Sequence, residues 1–368
     1  MTVREIQDVI EHWAPREIAW GQDNVGLQIG NPASRLLGIL IALDVTEKII
    51  TEARRHRANL IISHHPLLFK APRSITPRNQ VGRCIDALVK SGIALYSAHT
   101  NLDFAHGGTS WAIAEALGLT AVDFLYKPYK VQRKIVTFVP TDHVDRVAVA
   151  MAEAGAGRIG NYDNCSFRML GTGTFKANER ANPVVGSKNV LEKVAETRLE
   201  MVVDQWLVPG VLKALKQAHP YEEVAHDVYP TENESDAFGM GIIGMLVRPM
   251  TLKSLLALIK KKLGARALRC TGSLNHKVSR IAACGGSGSE LLDEAVRARA
   301  DAFITADVKY HTFHDANGRI ALIDAGHYET EHLVVQTMAK KLAQEMRRMR
   351  IHVPVFASRT STNPIVYV

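Results

Sequence analysis

Residues 36–66 read LLGILIALDVTEKIITEARRHRANLIISHHP. Leu36 to Leu43 is apolar at strand length and far short of a membrane span. Thr46–His56 repeats apolar residues at helical spacing, and Ala58–Ser63 (ANLIIS) is a second apolar strand. Strand, helix, strand is the rhythm of an α/β fold. In such sheets ligands collect at the carboxyl ends of strands, which is where this stretch places His64 and His65.

Working outward, Val81–Ser91 is predicted as a helix, Ile93–Ser97 as a strand and Gly108–Leu117 as a helix, so a mostly parallel sheet is expected. The texture changes after about residue 126. Lys134–Val139, Cys165–Leu170, Leu199–Val203 and Glu223–Tyr229 read as strands, with helices at Val144–Ala154 and Pro209–Ala218. That β-α-β-β-α-β order predicts a ferredoxin-like α+β module, left through a linker at Thr231–Ser235. The α/β rhythm resumes with strands at Met240–Val247, Arg280–Cys284, Ala302–Thr305 and Arg319–Ile323. Helices are predicted at Leu252–Leu263 and Glu290–Arg299, and one long helix from Tyr328 to Met349 before a terminal strand (HVPVF). The expected organisation is a discontinuous α/β domain, residues 1–125 and 238–368, interrupted by an inserted domain at 126–237.

Length and composition fit this division. The 368 residues are 46% apolar and 22% charged, enough for a core in each of two or three domains. The amphipathic start, MTVREIQDVIEHWAP, lacks the apolar core of a signal peptide, and a cytoplasmic protein with no membrane partner is expected. The four cysteines show no C-x-x-C spacing; they read as small core residues in a reducing compartment. A net charge of +8 permits polyanion binding. The basic residues are nevertheless dispersed, apart from Lys260–Lys262 and Arg347, Arg348 and Arg350 on helical patterns, which argues against a specific nucleic-acid footprint without excluding one.

Three segments carry chemistry. Ser63-His64-His65-Pro66 ends a strand, and a turn at Pro66 could aim both imidazoles into a cleft; a polar loop is the competing reading. His99-Thr100-Asn101-Leu102-Asp103 also follows a strand, with Asp103 as an oxygen ligand and His99 as a further ligand or its support. An Asx-type turn would look the same. In Asp324–Glu331 (DAGHYETE) a strand ends and a helix begins, so His327 and Glu331, four apart, share a face; Glu329 would face elsewhere and cap the helix. Three histidines and two carboxylates, one able to bridge, suit two ions such as Zn²⁺, Mn²⁺ or Fe²⁺. No cysteine accompanies them, against a closed structural zinc site.

Other segments are more ambiguous. Cys284–Ser289 (CGGSGS) between strand and helix could cradle an anion or make a tight turn. Lys309 could neutralise a phosphate, and His99, or His311 beside Asp307 and Tyr310, could act as acid or base. Trp20-Gly21-Gln22-Asp23-Asn24 reads as a capped turn with a buried tryptophan. His219-Pro220-Tyr221-Glu222-Glu223 reads as a strand-entry turn.

These segments, together with Trp20–Leu27, Ser63–Leu67, His99–Asp103, Thr305–His311 and Gly326–Glu331 taken in order, resemble the family of GTP cyclohydrolase I type 2 homologues, the NGG-one-interacting-factor-three-like proteins. The resemblance implies that His64, His65, Asp103, His327 and Glu331 ligate two metal ions, with Glu331 shared. It also implies homohexameric rings and, for residues 126–237, an insert of the PII/CutA type. Ala306 stands where the family pattern has glycine. The activity implied is hydrolysis with opening of the GTP imidazole ring and loss of formate. A non-enzymatic metal-binding scaffold or carrier, or a nucleic-acid-associated ring, are the alternatives the residues leave open.

Overall fold

A computed structural model describes residues 1–368. Capped helices and short apolar strands set its layout. Thr2 and Glu5 form a reciprocal capping box at the helix Val3–Trp13, Thr46 caps Glu47–Arg55, and Asn79 caps Gln80–Ser91. Each side-chain oxygen takes up an N–H that the first turn would leave unpaired. In chain order the strands are β1 (Gly26–Ile29), β2 (Ile39–Ala42), β3 (Leu60–Ser63), β4 (Ala94–Ser97) and β5 (Thr120–Tyr126). Then come β6 (Gln132–Pro140), β7 (Phe167–Lys176), β8 (Leu191–Asp204) and β9 (His226–Pro230). The last are β10 (Met240–Thr251), β11 (Arg269–Cys270), β12 (Lys277–Ala283), β13 (Ala302–Thr305), β14 (Ala321–Asp324) and β15 (Val355–Ala357).

Two compact units result, Met1–Tyr126 with Phe238–Val368, and Lys127–Ala237. The first holds two sheets. One has the order β1-β4-β3-β2-β15, parallel except for β1 against β4. Strands β2, β3 and β4 are buried on both faces, to which successive side chains point alternately. Ile39, Ile41, Leu60 and Ile62 pack with residues of Val3–Trp13 and Val334–Arg348, while Leu40, Ala42, Ile61 and Leu95 pack with those of Glu47–Arg55 and Gln80–Ser91. The other sheet has the order β11-β14-β13-β12-β10-β5, in which only β12, β13 and β14 run parallel. The mostly parallel sheet expected from the first 120 residues is therefore present in the first sheet, whereas the second is mixed. Of the antiparallel members, β10 is an expected strand, whereas the apolar pattern does not mark half-exposed β1, β5 or two-residue β11.

The second unit is one antiparallel sheet, β7-β8-β6-β9. Helices Val144–Glu153 and Val208–Ala218 supply Val147, Met151, Val211 and Leu215 to a core against Ile135, Val139, Leu199 and Met201. The long helix expected from Tyr328 is two helices, His327–Glu331 and Val334–Arg348. No helix is long and apolar enough to cross a membrane. The basic clusters do lie exposed at helix ends. Of the cysteines, only Cys84 and Cys284 are buried; Cys270 is exposed and Cys165 intermediate, since the latter two sit on edge strand β11 and in a loop.

Candidate metal centre

Strand ends of the first unit build the site. After β3 the backbone stays paired to the chain following β2, with His64 N–H donating to Ala42 O at 3.1 Å and His65 N–H to Leu43 O at 2.9 Å. The two rings lie 5.0 Å apart. After β4, His99 precedes a short helix, Thr100–Asp103. After β14, Gly326 turns the chain with φ of 89° and starts the helix that carries His327 and Glu331. A side chain at Gly326 would overlap the Glu329 carboxylate, so glycine serves both the turn and the packing.

Each imidazole is fixed through Nδ1. His64 Nδ1 donates to Ala98 O at 2.9 Å, His65 Nδ1 to Asp44 Oδ1 at 2.8 Å, His327 Nδ1 to Asp307 Oδ2 at 2.7 Å, and His99 Nδ1 to Asp23 Oδ1 at 2.9 Å. Commitment of Nδ1 as donor leaves Nε2 as the lone-pair atom, the arrangement that supports metal-ligating histidines. The Nε2 atoms of His64, His65 and His327 converge on one carboxylate. Glu331 Oε2 lies 2.9 Å from His65 Nε2 and 3.1 Å from His327 Nε2; its Oε1 lies 3.7 Å from His64 Nε2. Asp103 Oδ1 lies 3.8 Å from His64 Nε2 and accepts the Thr109 hydroxyl.

Several of these atoms lack proper partners. His64 Nε2 and Glu331 Oε2 are buried without a hydrogen bond, despite the short approaches to Oε2. The Nε2 atoms of His65 and His327 face each other at 3.3 Å. Two lone pairs and a carboxylate oxygen in one place call for a cation. Donors bound about 2.1 Å from one ion are themselves roughly 3–3.5 Å apart, so the spacings suit divalent metal. The electrostatics agree. Burial alone would lower His65 and His327, but Asp44, Asp307 and Glu331 outweigh it, pushing His65 up to about 10 and His327 up to about 9. Burial likewise opposes the Glu331 charge, yet the surrounding imidazoles hold that carboxyl well below its ordinary range. Asp103 is raised by burial and by the charge of Glu331. The cluster is an electrostatic seat for positive charge, and two sets, His65/His327/Glu331 and His64/His65/His99, place donor atoms close enough for one ion each.

The glycine loop after β12 is no anion cradle. Gly285 N–H donates to Ser110 Oγ, Gly286 N–H to Thr330 Oγ1 and Gly288 N–H to Thr305 Oγ1, which leaves none of these for a phosphate. The loop instead walls the cluster: a side chain at Gly286 would overlap Glu331 Oε1. Lys309 is exposed and lines a groove with Asp307, Asp293, Asp315 and Glu290. His311 is exposed beside Tyr310; neither belongs to the buried cluster. Trp20 is 46% exposed rather than buried, because its turn is held through its backbone N–H to Thr100 Oγ1. Glu329 is buried and accepts Asn363 Nδ2 at 3.1 Å, so it braces the C-terminal segment rather than capping a helix.

The sequence reading passed over Asp44. The rule that selected His64 also covers it, since Asp44 follows the apolar run that contains β2. Thr362, whose hydroxyl donates to Asp44 Oδ2, gave no such signal.

Fold and site together define a mixed α/β protein, built on several sheets, whose strand ends gather histidines and carboxylates able to hold metal. The chain belongs to the DUF34/NIF3 (NGG1p interacting factor 3) family, whose model matches residues 1–364. Curated relatives named "GTP cyclohydrolase 1 type 2 homolog" include one from Halalkalibacterium halodurans, 38% identical over 98% of this chain and 97% of the relative. Another, from Bacillus subtilis, is 36% identical over 99% and 98%. A solved Bacillus cereus protein related to NIF3 matches with a TM-score of 0.89 at 38% identity, covering 100% of this chain and 99% of that one. Staphylococcus aureus protein SA1388 gives 0.81 at 31% identity over 100% and 99%.

Proposed function

We propose that His64, His65, Asp103, His327 and Glu331 hold two divalent ions, Zn, Mn or Fe, and that the protein is a metal-dependent hydrolase of nucleotide-like substrates. The observation that carries this reading is the Glu331 carboxylate, whose two oxygens face different imidazoles, Oε2 toward His65 and His327 and Oε1 toward His64. Such a carboxylate can bridge two ions. Bound there, the pair would supply a hydroxide near neutral pH and polarise a substrate oxygen or ring atom.

The chain's own residues do the rest. Asp44, Asp307 and Ala98 O fix the ring tautomers and aim Nε2 inward. His64 and Glu331 form a floor closed to water, their side chains 0% and 4% exposed, while His65 and His327 are 23% and 34% exposed. One open side suits a centre that admits substrate better than a closed structural one, and favours catalysis over a scaffold or carrier role. His99 is anchored to Asp23, whose carboxyl burial would raise but which hydrogen bonds from His99 and Thr100 hold far below its usual range. That anchored ring, beside His64 and His65, is our candidate for carrying a proton. Lys309 and His311 are not assigned to the step, because the groove of Lys309 is rich in carboxylates and repels phosphate. Imidazole ring opening of GTP with formate release is the specific reaction the relatives' names support. Residues 127–237 are in our reading an inserted ferredoxin-like domain of the PII/CutA type, and the assembly a homohexamer.

Elemental analysis of protein purified without chelator, paired with a formate-release assay on GTP, tests this. About two ions per chain and chelator-sensitive formate release are expected. Two ions with no release from GTP would move the reading to another hydrolysable substrate; no bound metal after reconstitution would overturn it.

A further inference from the structure

The His219–Glu223 segment and a pair of glycines in β7 take no part in the metal centre. Both border a chamber of about 610 Å³ within residues 127–237, a size usual for small-molecule sites. Phe138, Leu170, Phe175, Ala177, Val184 and Val185 give it apolar walls. Glu196 also lines it and is only 8% exposed. Gly173, diagonal to it on β7, where Gly171 is its direct pair, is what admits this carboxylate, since any side chain at Gly173 would overlap Glu196 Oε2. Arg198, the only cation in the lining, donates Nε to Glu200 at 2.8 Å and leaves Glu196 without a counter-charge.

Tyr221 completes the polar part. His219 donates Nε2–H to Phe138 O at 3.0 Å and accepts the Tyr221 N–H on Nδ1 at 3.1 Å, which fixes where Tyr221 starts. The buried Tyr221 hydroxyl faces the Glu196 carboxylate but makes no hydrogen bond of good geometry. Burial and the Glu196 charge push its ionisation up to about 12, so it remains a neutral phenol.

A carboxylate set largely among apolar side chains and lacking an ion-pair partner favours a cation beside it. Glu222 and Glu223 also line the chamber, but they do not gather with Glu196 into a metal-binding group; an anion would be repelled, and a purely apolar guest would leave the Glu196 charge unpaired. We propose that the chamber binds a small organic cation, an apolar body bearing a protonated amine, with the ammonium set against the Glu196 carboxylate and the Tyr221 hydroxyl oxygen.

Titration calorimetry on the full chain decides it, using phenylethylammonium and phenylbutylammonium with phenylbutanol as the uncharged control. Saturable binding of one ammonium per chain is expected, with the alcohol about tenfold weaker or more. Glu196→Gln should remove that preference, and Tyr221→Phe should weaken ammonium binding by a smaller factor. Circular dichroism of each variant checks the fold; should Glu196→Gln fail to fold, the ammonium-to-alcohol ratio in the unaltered chain still decides. Equal affinities, no saturable binding by either ammonium, or an unchanged ratio in folded Glu196→Gln would overturn the proposal. So would sedimentation showing that Glu196→Gln dissolves an assembly in a chain that binds neither probe, because the counter-charge would then come from a second copy.

Discussion

Glu331 sits where three imidazoles of the candidate metal cluster converge, and its neighbours differ in how much depends on them. Asp103 reaches only His64, at 3.8 Å, whereas Glu331 faces His64, His65 and His327. Glu331→Gln should therefore lower metal content at both positions, and Asp103→Asn at one, as read by elemental analysis of the purified variants. Equal losses would sink the bridging assignment. Thr362 tests the brace behind His65: Thr362→Val frees one oxygen of Asp44 and should weaken metal retention by about tenfold with the fold unchanged. The histidines and carboxylates of the cluster were legible because each lies just after an apolar strand or within the short helix that follows one. Asp44 obeys the same rule and was overlooked among its flanking hydrophobics. Thr362 and Asn363 were not legible at all, because they touch the site through side chains from a segment with no periodic pattern.

At the scale of elements, β2, β3 and β4 stood out because strands buried on both faces are unbroken apolar runs. β1 did not, since it is half-exposed, and the break at His332-Leu333 was hidden by apolar spacing that continues across it. The C-terminal segment after β15 is held mainly by side chains. Glu52 accepts from Ser358 Oγ at 2.6 Å, Thr360 Oγ1 at 2.8 Å and Arg359 N–H at 3.3 Å. Burial would raise the Glu52 carboxyl, but these hydrogen bonds outweigh it and lower it. A carboxyl whose folded value is depressed stabilises above its unfolded value of 4.5 and loses that contribution as pH falls through the folded value. Proteolysis of the segment after residue 357 should thus accelerate only below the usual carboxylate range. Glu52→Gln should show the loosened behaviour at neutral pH, with a stability cost of about 1 kcal/mol after solvent screening. A segment equally resistant in both proteins would mean that other contacts hold it.

For the whole molecule, the two compact units each enclose a core of their own. The change of texture near residue 126 was visible in the sequence because two α/β runs flank a stretch with a different strand and helix order. The pairing of β6 between β8 and β9 was not, since register is set by long-range contacts. Separate cores predict separable melting. Leu215→Ala, which empties a fully buried position in the second unit, should cost about 2–5 kcal/mol there. Calorimetry should show one transition lowered while metal content stays at the wild-type value. A single transition that falls as a whole would instead make the molecule one cooperative body.

The candidate cluster joins His64 and His65 to His327 and Glu331 across a long separation in sequence, with Thr362 behind Asp44. A nascent chain that has not yet passed Glu331 lacks the carboxylate on which the imidazoles converge. If the cluster holds metal as proposed, loading would wait for the finished fold and would follow ion supply after synthesis rather than the rate of translation. An affinity tag placed after Val368 would hang from the same braces that steady His65, so tagged and untagged preparations should be compared for metal content before either is used for assay.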